Sequence, residues 1–124
     1  MNKRATYHHA DDLHDLRLWA QECALRAGLS SERAVLLMLA VSELASNTLQ
    51  HTSGGGLVEV RAESGGVVCE VTDDGPAGAR VPATMPPPTA VGGRGLAIVE
   101  QVCDDVSIRA EGRRTVVRLW MRSG

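Results

Sequence analysis

A chain of 124 residues, 44% hydrophobic and 23% charged, has the composition of a single globular domain long enough to bury a core without staples. Its formal net charge of -2 provides no excess of Lys and Arg for a nucleic-acid surface. Its aromatics, Tyr7, Trp19 and Trp120 with no Phe, provide no stacking platform for single strands. The core must therefore be aliphatic.

Met1 to His9 is polar and lacks the apolar stretch of a secretory signal. It reads as a partly frayed terminus, with little room for a strand before the first helix, and His8, His9 and His14 belong to it rather than to a metal site. The longest apolar run, Ala34 to Val41, is too short to span a bilayer, so the expected location is cytoplasmic with no membrane partner. Asp11 or Asp12 is placed to cap a helix running to about Arg26. Leu13, Leu16, Ala20, Cys23, Leu25 and Ala27 lie on or near its buried side, and Gly28 is its stop. Ser30 or Ser31 caps a second helix that begins apolar all round, as a central buried helix does. From Ser42 onward this helix divides, with Leu44, Ala45, Thr48 and Leu49 on one side and Ser42, Glu43, Ser46, Asn47, Gln50 and His51 on the other.

After Gly54-Gly55-Gly56, the alternation of Val58, Val60 and Ala62 with Glu59, Arg61 and Glu63 predicts a half-buried strand. Gly65-Gly66 turns it into a hairpin partner with Val67, Cys69 and Val71 on one face, and strict alternation places Asp73 on that same inward face. All five prolines fall between Asp74 and Thr89, which makes a long loop of about residues 75–93, the kind of segment that serves as a lid. Gly95 to about Cys103 reads as a third helix, and Val106 to Ala110 with Thr115 to Met121 as a closing hairpin around Glu111-Gly112. Arg109, Arg113 and Arg114 read as a solvated part of that hairpin. Cys23, Cys69 and Cys103 are odd in number, widely spaced and set in apolar sequence, so they read as small buried hydrophobes.

Three polar features interrupt this packing pattern. Glu43, Asn47 and His51 stand four residues apart, and each such step rotates by only about 40° on a helix, so they share a face. An Asn carbonyl plus phosphate oxygens and water suits Mg, which makes Asn47 the candidate metal ligand; Glu43, one turn earlier, is the candidate general base. A solvated helix face accounts for the same stripe. Asp73, followed by Gly75 where the backbone must turn or yield room, can accept from the exocyclic amine of adenine and so select against guanine. An Asp-Asp-Gly turn is the alternative. Gly92-Gly93-Arg94-Gly95 directly precedes a helix, where free N–H groups and the dipole favour an anion and Arg94 adds a positive charge. A flexible hinge is the alternative there. Together the three features suggest a site for ATP with Mg.

The three boxes, in this order, resemble the GHKL ATPase superfamily and, within it, the stand-alone anti-sigma-factor serine/threonine kinases. Ala40-Val41-Ser42-Glu43-Leu44-Ala45-Ser46-Asn47 is similar to the N box, Asp73-Asp74-Gly75 to the G1 box, and Gly92-Gly93-Arg94-Gly95-Leu96-Ala97-Ile98-Val99 to the G2 box. The likeness spans about residues 13–121, with Ala77 where a second G1 glycine is usual and Val91 where G2 often begins with glycine. The resemblance implies an α+β Bergerat-type two-layer sandwich, a mainly antiparallel sheet of about four to five strands covered on one face by three helices. It implies a single ATPase domain over residues 1–124, holding ATP and Mg, and a homodimer. By the same resemblance Glu43 is the base, Asn47 the Mg ligand, Asp73 the adenine contact, and Gly93, Gly95 and Leu96 the phosphate-binding backbone. The implied activity is phosphorylation of a serine or threonine on an antagonist protein and sequestration of a sigma factor; a switch that binds nucleotide and partner without phosphoryl transfer is the alternative. A sensor histidine kinase is the poorer fit, because the residues ahead of Ser31 are too few for a dimerising helix pair that bears a phosphoacceptor histidine.

Overall fold

The computed structural model describes residues 2–51, 54–73, 93–112 and 114–123, without the side chains of His51 and of residues 93–96. In chain order these form β1 (Asn2–Tyr7), a 3-10 turn (Ala10–Asp12), α1 (Leu13–Ala27), α2 (Ser31–His51), β2 (Gly56–Glu63), β3 (Gly66–Asp73), α3 (Gly93–Val102), β4 (Asp105–Glu111) and β5 (Arg114–Arg122). The fold is α+β. The five strands make one antiparallel sheet in the order β1-β2-β3-β5-β4, and the helices bury their apolar sides on one face of it. Because β3 and β4 both run antiparallel to β5, they are parallel to each other, and α3 lies in the crossover between them. The lid expected at about 75–93 lies outside the described residues except for Gly93.

The front of the chain departs from expectation. Asn2–Tyr7 pairs with β2 in continuous register, from Asn2 opposite Arg61 to Tyr7 opposite Gly56. Six residues at about 3.3 Å each are enough for an edge strand. It escapes the hydrophobic pattern because only Ala5 and Tyr7 turn toward the core, while Arg4 on the open face donates to Glu59 at 3.1 Å. Charged residues of this kind are common on edge strands. Tyr7 is fully buried, and Gly55 and Gly56 make this possible. A Cβ on Gly55 would collide with the Tyr7 carbonyl oxygen, and one on Gly56 would lie 2.6 Å from the Tyr7 hydroxyl oxygen.

Asp12 does not cap α1 with its side chain. Its carboxylate turns back to accept from the His8 and His9 backbone N–H groups at 2.8 and 3.1 Å, which holds the 3-10 turn and keeps the carboxyl below the usual carboxylate range. Gly28 stops the helix as expected, at φ 117°. Along α1 the buried row is Leu16, Ala20, Cys23 and Ala24, whereas Leu25, placed on that side from the sequence, is 40% exposed. Nine steps of about 100° put Leu25 opposite Leu16 on the helix. The first half of α2 is likewise not buried all round, since Val35 and Leu39 are 41% and 37% exposed.

The β2–β3 hairpin turns at Gly65, φ 79°, and buries Val58, Val60, Val67, Cys69 and Val71 as the alternation requires; Ala62, at the hairpin end, is exposed. The three cysteines are free and buried, and burial pushes the Cys103 thiol up to about 12 and that of Cys69 higher still. Arg109 is not merely solvated: it donates to Glu111 at 2.8 Å and to Glu70 at 3.1 Å.

Asp104, between α3 and β4, ties three elements together. Its carboxylate accepts from the Arg122 backbone N–H at 2.7 Å and from Arg33 of α2, whose Nε donates to the Arg122 carbonyl at 2.9 Å. The Arg122 N–H, and after it the Arg33 guanidinium, hold the Asp104 carboxyl below its ordinary value of 3.8. A depressed carboxyl stabilises the fold above the ordinary value and loses that contribution as pH falls through the depressed one. Since the side chain is 36% exposed, solvent screening limits the expected cost of Asp104→Asn to about 1 kcal/mol at pH 7. In urea titrations at a series of pH values, the gap between parent and variant should close below pH 3.8. Gly55→Ala should cost more, about 2–3 kcal/mol, because the clash is with backbone that cannot yield without unseating β1; thermal unfolding of the variant checks this.

Candidate functional site

The polar stripe lies on the second half of α2. The helix starts where the Ser30 hydroxyl accepts the Arg33 N–H at 3.2 Å, and Ala34, Leu37, Ala40, Val41, Leu44 and Ala45 form its buried side. Beyond Val41 the opposite side carries polar groups that are not simply in water. Ser42 is 9% exposed, and its hydroxyl accepts from Arg17 Nε of α1 at 2.9 Å. Glu43 and Asn47 are half-buried, unlike the exposed Gln50. The Arg17 contact means that α1 does more than pack: it fixes the helix one residue ahead of Glu43.

Asp73 ends β3 on the inward face, as strict alternation predicts, and is 6% exposed. A buried carboxylate needs a donor, and it has one in the Thr115 backbone N–H, 3.2 Å from Oδ1. Thr115, 8% exposed, opens the inward row of β5. The sequence did not reveal it, because the hairpin pattern links β5 to β4 and says nothing about the pairing of β5 with β3 that sets Thr72 opposite Val116 and brings Thr115 to Asp73.

α3 begins at Gly93, two residues earlier than expected, so Gly93 and Arg94 join Gly95 and Leu96 in its first turn rather than preceding the helix. The first four N–H groups of a helix lack intrahelical partners, and the dipole there favours an anion. α2 packs against α3 and also against β2 and β3. The stripe, the inward aspartate and the glycine-bearing helix start therefore sit on neighbouring elements. Gly75 and the rest of the lid lie outside the described residues, as do the side chains of His51, Arg94 and Leu96.

This chemistry can serve a Mg-nucleotide. The Asn47 side-chain carbonyl is a hard oxygen ligand, and Mg usually takes only one or two protein ligands while phosphate and water supply the rest. Among the described residues no three His, Cys, Asp or Glu side chains gather into a cage of their own.

The family described as the histidine kinase-like ATPase domain matches residues 8–121. No match was found among curated protein sequences. Among solved structures, the RsbU and RsbW domains of Rv1364c from Mycobacterium tuberculosis share the fold, with TM-score 0.74 and 19% identity over 98% of this chain and 32% of that one. The blue-light activated histidine kinase EL346 of Erythrobacter litoralis aligns with TM-score 0.55 and 26% identity over 76% of this chain and 31% of that one. Acinetobacter baumannii histidine kinase AdeS aligns with TM-score 0.56 and 12% identity over 98% and 68%. The chain thus spans about a third of the length of the first two proteins.

Asp73→Ala should leave the Thr115 N–H without this acceptor and lower stability by about 1–3 kcal/mol. Asp73→Asn retains an amide oxygen and should cost less. Urea unfolding of the two variants side by side measures the difference.

Proposed function

Because the chain belongs to the histidine kinase-like ATPase domain family, we propose that it is a cytoplasmic regulatory serine/threonine kinase of the anti-sigma-factor type, which uses Mg-ATP to phosphorylate an antagonist protein and sequesters a sigma factor. The observation that carries the nucleotide reading is Asp73, a carboxylate 6% exposed at a strand end and held by the Thr115 N–H. Packing alone gives no reason to bury a carboxylate there, whereas an acceptor fixed in direction suits the adenine amine. Gly75 follows it where the base would need room. The first turn of α3, with Gly93, Arg94, Gly95 and Leu96, would receive the phosphates through backbone N–H groups. Asn47 would hold Mg, which when bound neutralises charge on the phosphate oxygens.

The half-buried Glu43 favours a kinase over a switch that only binds. About one turn of α2 separates Glu43 from Asn47, and since they lie about 40° apart on one helix face both can meet the same ligand. A carboxylate there can take the proton of an acceptor hydroxyl as phosphorus is attacked. The fold shared with the protein that contains RsbU and RsbW domains supports a partner-switching role, in which a sigma factor and an antagonist compete for this domain. β1 provides the edge strand that a homodimer of the proposed kind would use. Among the described residues no helix is long and apolar enough to cross a membrane.

Isothermal titration with Mg-ATP should show at least a tenfold loss of affinity for Asn47→Ala, about 1.4 kcal/mol or more, with the thermal transition of the unliganded protein unchanged. Glu43→Ala should keep nucleotide affinity and lose on the order of 10²–10⁴ in radiolabelled phosphate transfer to an antagonist. Transfer that persists in Glu43→Ala removes it as the base. Absence of transfer by the parent, with Mg-ATP bound, leaves the binding switch.

A further inference from the structure

A concavity opens on one flank of the same stretch of α2. It is a cleft of about 350 Å³ between α2 and the chain that joins β1 to α1, with His8, His9, Leu13, Ser46, Leu49 and Gln50 on its walls. This is near the lower end of the volumes that hold small ligands, and it suits one or two side chains of a polypeptide better than a whole nucleotide. Its outer wall is preformed: the Asp12 carboxylate accepts both the His8 and His9 N–H groups, and the Asp12 N–H donates to the His9 carbonyl at 2.9 Å.

The position of this cleft relative to the proposed base follows from helix geometry. At about 100° per residue, and with Glu43 at zero, Asn47 lies near +40°, Gln50 near −20°, Ser46 near −60° and Leu49 near −120°. The cleft wall and the Glu43–Asn47 stripe are therefore adjoining sectors of one helix, with Glu43 on the boundary. The lining chemistry narrows the occupant further. Imidazole, hydroxyl and amide groups surround an apolar floor of Leu13 and Leu49, and among the described residues no carboxylate, lysine or arginine lines it. Such a lining matches a hydroxyl-bearing peptide segment, whose hydroxyl and backbone groups can hydrogen-bond to the imidazole, hydroxyl and amide groups while its apolar part meets Leu13 and Leu49.

We propose that this cleft is the acceptor side of the active site and seats the serine- or threonine-bearing segment of the protein substrate beside Glu43. The inference rests on the kinase reading given above. In the transfer, the acceptor Oγ–H proton passes to the Glu43 carboxylate and the Oγ forms a bond to the γ-phosphorus of ATP. The bond from that phosphorus to the β,γ-bridging oxygen breaks, and ADP leaves with the electron pair.

The test uses the full chain labelled with ¹⁵N, saturated with Mg-ATP, and two degenerate nonapeptide pools, one with a central serine and one with alanine in its place. The serine pool should shift the amides of His8, Leu13, Ser46 and Gln50 and become phosphorylated, and the alanine pool should do neither. Leu49→Trp, which fills the cleft, should raise the KM for the serine pool at least tenfold while the Kd for Mg-ATP stays within twofold of the parent. Ser46→Tyr, blocking the same wall from a different position, should behave alike, so a folding defect in one variant does not decide the matter. Unchanged KM in both variants, or peptide shifts that avoid the cleft, overturns the acceptor cleft while leaving the kinase reading intact. Peptide seated in the cleft of the Mg-ATP complex without phosphate transfer sinks the kinase reading and the acceptor role with it.

Discussion

One helix with two incompatible duties organises this molecule. Over its first half α2 is a packing element, and Ala34, Leu37, Ala40 and Val41 disappear into the interior against α1 and the sheet. Over its second half it keeps Leu44 and Ala45 buried but turns Ser42, Glu43, Ser46 and Asn47 toward neighbours that are not fully solvent. A helix can do this only if the polar sector is supported, because half-buried polar groups without partners would cost more than they contribute. Arg17 supplies part of that support by donating to Ser42, and the Asp12-pinned turn closes the far flank. α1 and the chain before it thereby hold the helix that carries the proposed chemistry.

A complementary constraint acts from the sheet. Alternation forces position 73 inward, and the chain places a carboxylate there. One donor to it comes from β5, a strand more than forty residues away in sequence, so the β3–β5 pairing helps to orient Asp73. That pairing is in turn secured at its other end by the Arg33–Asp104–Arg122 contacts, which join α2, the end of α3 and the end of β5.

What was legible in the sequence, and what was not, follows from the range of each interaction. Helices, the central hairpin and the closing hairpin could be read because period, caps and turn glycines are local, as with Gly28 and Gly65 at positive φ. β1 was hidden because its partner, β2, begins about fifty residues later and because an edge strand with only Ala5 and Tyr7 facing inward has almost no hydrophobic period. Leu25 misled because hydrophobicity was weighed without its angle on the helix. Thr115 was silent for the reason that hid β1: strand order is not written in any single segment. The glycines at 55 and 56 looked like punctuation, and their second role, admitting the buried Tyr7, appears only once that residue has arrived from the far end of the chain.

The open face of the sheet helps explain why the proposed site residues stand out at all. Across it runs a connected set of ion pairs, Arg4 with Glu59, Arg61 with Glu59 and Glu63, Arg118 with Glu63 and Glu70, and Arg109 with Glu70 and Glu111. Individually such exposed pairs contribute little, but charges of alternating sign on neighbouring strands favour one register, since a one-residue slip would carry them to the apolar side. Charge on this face is thus accounted for by sheet assembly. Glu43 and Asp73 have no such explanation: one sits on a helix that could have been apolar, the other on a strand face that is apolar elsewhere. A local rule broken without loss of the fold is the physical signature by which a binding site separates itself from its scaffold.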